Sequence, residues 1–461
     1  VYNLPVPKID KLLGMDVYAT KTAGVGGVIR KSVEDFVVEE VLVDGSKADI
    51  RKAAETRVLG ASEAKQRYLL CVLVKRNWDT FITLKNIAKQ LGVSQGQIHI
   101  AGIKDAKAIT SQHITVENCS MEDAAKVNVK DIEIRPVGYV REKLSTYYLF
   151  GNKFTISLKE IKQSESTVAK RIAETAAALE AIGGIPNYFG HQRFGTTRPI
   201  THLVGKAIVE GDFEVAAMLF LAKPSIHEHP SSRSARAELQ STRNFTLALQ
   251  DFPKQLRYER LMLKHLVIKP KDFVGAFRRL PVKLQALFVQ AYQSYLFNLF
   301  LSARMENGFS LNRAEVGDFV VNVERSGLPM VNIAKVAIEE NLAKINALIK
   351  ADRMRVALPL VGVKQNLSQG VMGQIEKQVL EEESAESENF RVDAVREMSK
   401  RGRLRPIITP IINFKLLDVL NSAVNPKAHR ADLKFMLLRG SYATVLLREI
   451  MKPTDPIQAG F

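Results

Sequence analysis

Alternating and continuous runs of apolar residues divide the chain into three textures. Residues 28–42 mix β-branched residues with charges in near-alternation, which predicts a half-buried strand pair or a strand with a turn. Residues 67–74 are a continuous apolar run of strand length and predict a buried strand. Over 78–91, Phe81, Leu84, Ile87, Ala88 and Leu91 recur at helical spacing, and Gly92 supplies a stop. Strands are expected at 97–102 and 113–117, on either side of a polar turn. Two more strand-like stretches fall within 129–158, joined around Gly151 and Asn152. An Ala-rich helix over 165–182 is ended by Gly183, Gly184 and Pro186.

From about residue 200 to about 400 helical periodicity dominates. The clearest case is 281–304, where Pro281 opens a pattern that puts Leu284, Leu287, Phe288, Ala291, Tyr292, Tyr295, Leu296, Leu299 and Phe300 on one side. The acidic stretch 381–388 reads as a solvated helix end or loop. Strand texture returns at 406–416 and 432–438, and a last helix runs from an N-cap at Ser441 to about Met451. The succession of α/β, mostly α, then α/β predicts a core domain interrupted by an inserted one.

Composition narrows the classes. The length of 461 residues suggests two to four domains, or one with a large insertion. Hydrophobic and charged fractions of 46% and 25% exclude wholesale disorder. Two cysteines, Cys71 and Cys119, cannot build a disulfide framework or a four-thiolate zinc site, and read as small buried apolar residues. No run reaches the ~18–20 apolar residues of a membrane span, and the N-terminus lacks a signal-peptide pattern, so the expected compartment is the cytoplasm. A net charge of +17 points to a polyanionic partner, most often nucleic acid. The excess is concentrated in residues 400–461, with eleven Lys/Arg against four Asp/Glu. Lys400, Arg401, Arg403 and Arg405 cluster there, either to clamp phosphates or as a solvated basic loop.

Phosphate-loop, dinucleotide, zinc-protease and nucleophile-elbow motifs are absent. His99 and His113 flank a turn at a separation that makes a shared metal improbable. Two segments carry chemistry by residue type. In 101–112 one carboxylate, Asp105, stands between Lys104 and Lys107 on a turn between strands. Cations beside it favour its ionised form, so it is either a nucleophile or base, or a turn Asp with solvated lysines. In 185–195, Tyr188, Phe189, Gln192, Arg193 and Phe194 interleave with Gly190 and Gly195. That mixture suits stacking on bases and gripping phosphates, or a loop with core aromatics.

These segments resemble the TruD family of tRNA pseudouridine synthases. The central signature stands as Gly102, Lys104, Asp105, Ala108, Thr110 and Gln112, and a second one stands intact over 187–195. Further elements appear as Asp35, Phe36, Val38 and Glu40; as Gly151, Asn152 and Phe154; and as residues 440–444 with Arg448 and Glu449. Residues 198–202 and 291–298 also look like the family, so matches run in one order from about 28 to 450.

The resemblance implies an α/β (α+β) fold: a pseudouridine-synthase core with a mixed, mostly antiparallel sheet, plus an inserted α-rich α/β domain. We expect the core at 1–196 and 405–461 and the insertion at 197–404. It implies isomerisation of a uridine in tRNA, at position 13 in known members, with no cofactor and no metal. The same chemistry at another RNA site and a non-catalytic tRNA-binding or folding protein are the alternatives. The expected partner is tRNA, with no membrane, no obligate protein partner and a monomeric state. By resemblance Asp105 is the catalytic aspartate. It attacks C1′ or C6, or removes the C2′ proton; each route needs it ionised near the ribose. Arg30 is the first candidate to hold it, five residues before Asp35, and Lys104 the second, because neighbours on extended backbone point to opposite faces. Phe154 is the stacking residue for a flipped uracil, and Asn152 a hydrogen-bonding group for the base or ribose. Phe36 and Glu40 either line that pocket or are ordinary strand residues. Lys143, Gln192, Arg193, Arg401, Arg403 and Arg405 are expected RNA contacts.

Overall fold

The structure, a computed structural model, describes residues 4–51, 58–421 and 428–461. The first part of the chain forms β1 (Phe36–Leu42), β2 (Tyr68–Arg76), β3 (Ile98–Ile100), β4 (Ile109–Glu117), β5 (Ile132–Val140) and β6 (Leu149–Ile161). A short β7 (Ile185–Pro186) follows the helix Glu165–Ala181. Helices then fill 201–306, before β8 (Phe319–Val323), β9 (Pro329–Val336), β10 (Met354–Leu360) and β11 (Arg403–Pro406). The chain ends with β12 (Ile408–Thr409), β13 (Ile412–Asn421), β14 (His429–Leu438) and the helix Ala443–Met451.

Strands from both ends of the chain build one eight-stranded sheet, in the order β13-β14-β6-β1-β4-β2-β5 with β3 on β4. Within it β1 and β4 run parallel and the other pairs antiparallel. This is the mixed, mostly antiparallel sheet expected of the fold class. The middle of the chain has its own antiparallel sheet, β11-β10-β8-β9. Its strands β8, β9 and β10 lie inside the stretch read as mostly helical, because three short strands between long helices leave little periodicity of their own.

Local chemistry explains most element ends. The helix Thr80–Leu91 starts where the Asp79 carboxylate accepts from the Phe81 and Ile82 amides, and stops at Gly92 with φ 66. Its buried stripe is Thr80, Thr83, Leu84, Ile87 and Ala88, so Phe81, expected inside, is 39% exposed. Gly151 and Asn152 lie inside β6 and do not join two strands; the turn comes earlier, over 141–148. Gly151 is there for close approach: a Cβ would meet the Leu437 carbonyl oxygen of β14 at 2.2 Å. The last helix is capped by Tyr442. Ser441 donates instead to the Thr409 hydroxyl, 3.0 Å away.

The helix Val282–Glu306 departs most from its amphipathic reading. Polar Gln285, Gln293, Ser294, Asn298 and Ser302 are buried along with its apolar residues. Ser294, Asn298 and Ser302 recur every four residues and so form one polar stripe. Asn298 accepts from the Phe189 amide (2.9 Å) and donates to the carbonyls of Leu13 and Phe189. Ser302 meets the Tyr188 hydroxyl at 2.8 Å. The helix is thus packed on both sides, and one continuous hydrophobic core runs from the large sheet into the helices of 201–306. Cys71 and Cys119 are buried and unpaired, as expected. Among the described residues, no helix is long and apolar enough to cross a membrane.

Candidate active site

Strand register assembles one face of the large sheet into rows. Glu40 on β1 lies opposite Asn152 on β6, and Val38 opposite both Phe154 on β6 and Thr110 on β4. Thr110 in turn lies opposite Lys75 on β2, and Phe154 opposite Phe435 on β14. Because strand side chains alternate with period two, Phe36, Val38, Glu40, Lys75, Thr110, Gln112, Asn152, Phe154 and Phe435 share this face. Residues separated by up to 400 positions in sequence converge here.

Asp105 stands on the loop between β3 and β4, with its side chain 28% exposed. Arg30 donates to its Oδ1 at 2.9 Å, and Gln192 donates to the same oxygen at 3.2 Å. Gln192, expected at the RNA, therefore touches the carboxylate itself. Arg30 is fixed from three sides. It also donates to the Gly460 carbonyl (3.1 Å), its guanidinium lies 4.0 Å from the Phe36 ring centroid, and its backbone is left-handed with φ 56. A left-handed non-glycine residue costs of order 1–3 kcal/mol and persists only where the surroundings hold it. Burial pulls the Arg30 pKa down, and Asp105 opposes that pull.

The loop beneath Asp105 is held by a residue the sequence reading missed. Lys75, fully buried on β2, donates to the Asp105 carbonyl (2.6 Å) and the Trp78 carbonyl (2.8 Å). Burial lowers its pKa to about 8. Gly460, whose carbonyl holds Arg30 rather than the loop, was missed as well. Only strand register and the return of the C-terminus reveal these two, and neither leaves a local pattern.

Lys104 does not compete for Asp105. Its ammonium pairs with Glu40 Oε1 at 2.7 Å, and both side chains are almost wholly buried. Glu40 also accepts from the His113 amide at 2.8 Å. Burial opposes the ionisation of Glu40, but the Lys104 ammonium and His113 outweigh it and pull its pKa below the ordinary carboxylate value. Lys104 and Glu40 were expected at the substrate; buried together, they brace the Asp105 loop against β1. Thr80 adds a clasp, exchanging hydrogen bonds with the Lys104 carbonyl and amide.

Phe154 is 5% exposed. Phe435 stacks on it with centroids 5.3 Å apart, and Phe36 meets it edge-on at 6.1 Å. Near this aromatic group, Asn152 Oδ1, Gln112 Oε1 and Thr110 Oγ1 are buried with no hydrogen-bond partner. Unpaired buried acceptors are rare and mark where a ligand's donors would fit.

The second signature loop packs beside Asp105. Arg193 donates to the Ser294 hydroxyl at 3.0 Å and lies over Phe189, and burial lowers its pKa. It lines a cleft of about 380 Å³ with Phe189, Lys400, Arg401 and Arg403. Arg401, Arg403 and Lys143 are exposed. Arg405, expected at a phosphate, is turned inward. It donates to the Asn187 carbonyl (3.0 Å), the Asn187 side chain (2.8 Å) and the Gly440 carbonyl (2.9 Å), and lies 3.9 Å from the Phe189 centroid. Arg403 opens β11 at its exposed end, whereas Arg405, two residues on and on the same face of the strand, is covered by the Asn187 and Phe189 loop, and burial lowers its pKa to about 9. Tyr188 and Phe189 are buried. Arg448 and Glu449 bind the N-terminal segment: Arg448 pairs with Asp10 and Glu449 accepts from Ala19 and Thr20. Among the described residues, no group of three potential ligands is placed to hold a metal ion.

The mixed, mostly antiparallel sheet, with Asp105 on the loop into the strand that runs parallel to β1, fits the pseudouridine-synthase core that the signature residues imply. The family described as tRNA pseudouridine synthase D (TruD) matches residues 12–450. A relative from Methanosarcina acetivorans, named "Probable tRNA pseudouridine synthase D", is 39% identical over 99% of both chains. One of the same name from Thermococcus onnurineus is 36% identical over 94% of this chain and 97% of its own. A crystal structure from Methanosarcina mazei that carries the TruD name superposes with a TM-score of 0.80 at 37% identity, covering 97% of this chain and 99% of that one. The chain belongs to the TruD family of tRNA pseudouridine synthases.

Proposed function

We propose that this protein converts a uridine of tRNA, at position 13, to pseudouridine, with Asp105 as the catalytic carboxylate. The observation that carries the reading is the Arg30–Asp105 contact of 2.9 Å at the mouth of a face lined by Phe154, Asn152 and Gln112. The reaction breaks the N1–C1′ bond, turns the uracil and joins C5 to C1′; C5 loses a proton and N1 gains one. Every route open to Asp105 needs an ionised carboxylate, and Arg30 supplies the adjacent positive charge. The base must leave the RNA stack to reach it. Phe154, backed by Phe435, offers an aromatic surface, and stacking of this kind is worth ~1–3 kcal/mol per base. Uracil N3–H is a donor suited to the unpaired oxygen of Asn152 or Gln112. The cleft of Arg193, Arg401 and Arg403 takes flanking phosphates, with Lys143 as a further contact.

The same reading divides the chain into a core of 1–196 and 405–461 and an inserted 197–404, acting as a cytoplasmic monomer without a metal, a cofactor or an obligate protein partner. The test is Asp105→Asn, assayed by mass spectrometry of carbodiimide-labelled tRNA. Pseudouridine formation is expected to vanish while tRNA binding survives. Loss of binding and activity together would undermine the catalytic assignment. New pseudouridine outside position 13 alone would overturn the site and leave the reaction standing.

A further inference from the structure

The large sheet has a second face, away from Phe154 and Asp105. Over β2 it is covered, Leu70 by Val58 and Ala61 and Val72 and Val74 by Ala48. Over β6, β13 and β14 it stays open. Register puts Lys153 opposite Met436, Thr155 opposite Lys434, and Lys434 opposite Lys415, all alternating with the inward Phe154 and Phe435. A groove of about 720 Å³ runs here, lined by Lys47, Lys153, Lys415 and Lys434 with Val41 and Met436.

The carboxylates near this groove are engaged. Glu39 pairs with Lys153, and Asp44 accepts from the Ser46 and Leu59 amides. Among the described residues, Lys47, Lys415 and Lys434 make no ion pair. Lys47 and Lys415 are exposed and Lys434 is half-buried. Three like charges without counter-ions, drawn from three chain segments into one groove, repel one another unless an anion sits between them. The floor is partly apolar and the groove takes more than a single phosphate, which favours a nucleic-acid backbone over a free small anion. Four strand spacings separate β13 from β4, about 19 Å at ~4.8 Å each, so one folded RNA can span both faces.

We propose that this groove is a second RNA site, which binds backbone phosphates of the substrate tRNA outside the segment that enters the catalytic cleft. It rests on the tRNA substrate proposed above. The test is the triple variant Lys47→Ala/Lys415→Ala/Lys434→Ala in the full chain, measured against wild type for tRNA binding over a salt series and for turnover. Each phosphate contact contributes roughly 0.7–0.9 to the slope of log affinity against log salt, so a fall of about 2 is expected. KM for whole tRNA should rise about tenfold with kcat unchanged, while a short hairpin carrying only the target uridine should react as with wild type. An unchanged slope and KM would overturn the proposal. So would an equal loss on the hairpin, because the lysines would then belong to the catalytic cleft. Binding is read without turnover, so a wild type that forms no pseudouridine but shows the lysine-dependent slope would sink the catalytic reading alone.

Discussion

Replacing Arg30 by Met tests the catalytic geometry most directly. Methionine keeps apolar volume over the Phe36 ring while removing the charge and both donors. Opposite charges with centres ~4 Å apart interact by roughly 4 kcal/mol at an effective dielectric of 20. The Arg30 side chain is 9% exposed and that of Asp105 is 28% exposed, so water screens part of this interaction. About 2–3 kcal/mol should remain available where the carboxylate does its chemistry, which corresponds to a rate loss of ~30–150-fold. Arg30 is buried and its donors face Asp105 and Gly460, so tRNA affinity should not change. The assay is single-turnover tritium release from C5-labelled uridine in tRNA, with affinity measured separately by filter binding. Arg30→Lys should fall between wild type and Arg30→Met, since a point charge restores part of the field but not the two-sided grip. A single-turnover rate within threefold of wild type, or a defect confined to affinity, would refute the assignment of Arg30 to Asp105.

Three further perturbations separate positioning from binding. Gly460→Ala puts a Cβ 2.3 Å from the Ile29 carbonyl oxygen at φ 92, which displaces the carbonyl that holds Arg30. Single-turnover rate should drop about tenfold with tRNA affinity retained. Glu40→Gln leaves the Lys104 ammonium buried without its counter-charge and should cost ~3–5 kcal/mol by urea denaturation. The folded pKa of Glu40 is depressed, so its contribution is complete above the unfolded value and disappears as pH falls through the folded one. The deficit of the variant should accordingly shrink in acid. Arg405→Met should lower stability and leave the salt slope of tRNA binding unchanged, whereas Arg401→Ala and Arg403→Ala should each reduce that slope by roughly 0.7–0.9 with stability intact.

The sheet strands were legible where the apolar pattern stands out from its surroundings, as near-alternation in β1 and as a continuous run in the almost wholly buried β2. The strands β8 to β10 were not, because their short runs sit between helices with stronger periodicity. Gly151 misled for a physical reason. A glycine in a polar stretch usually marks a turn, and here it allows β14 to approach β6. The amphipathic reading of 281–304 placed Phe288, Ala291, Tyr292, Leu296 and Phe300 inside, where they are, but missed a second buried side whose Asn298 and Ser302 bond the loop of Tyr188 and Phe189.

The residues by themselves marked the candidates. One carboxylate among cations on a turn, an aromatic, amide and Arg-bearing loop, and a net charge of +17 each kept a bland alternative, and it was the ordered signatures of the TruD family, from about 28 to 450, that implied the class of chemistry. The resemblance already ranked Arg30 above Lys104 as the partner of that carboxylate, but what holds each cation in its place was decided only by the tertiary structure. Lys104, adjacent in sequence, is drawn into a buried pair with Glu40, while Arg30, 75 residues away, reaches Asp105 because the C-terminal Gly460 holds it there. The same holds for the basic cluster: Arg403 and Arg405 share one face of β11, but only Arg405 is covered by the Asn187 and Phe189 loop, which makes the first a surface charge and the second a core brace. Residue type and order record what a side chain can do. Which partner it meets depends on strand register and on burial, and a buried charge must find its counter-charge or hydrogen-bond acceptors within the fold.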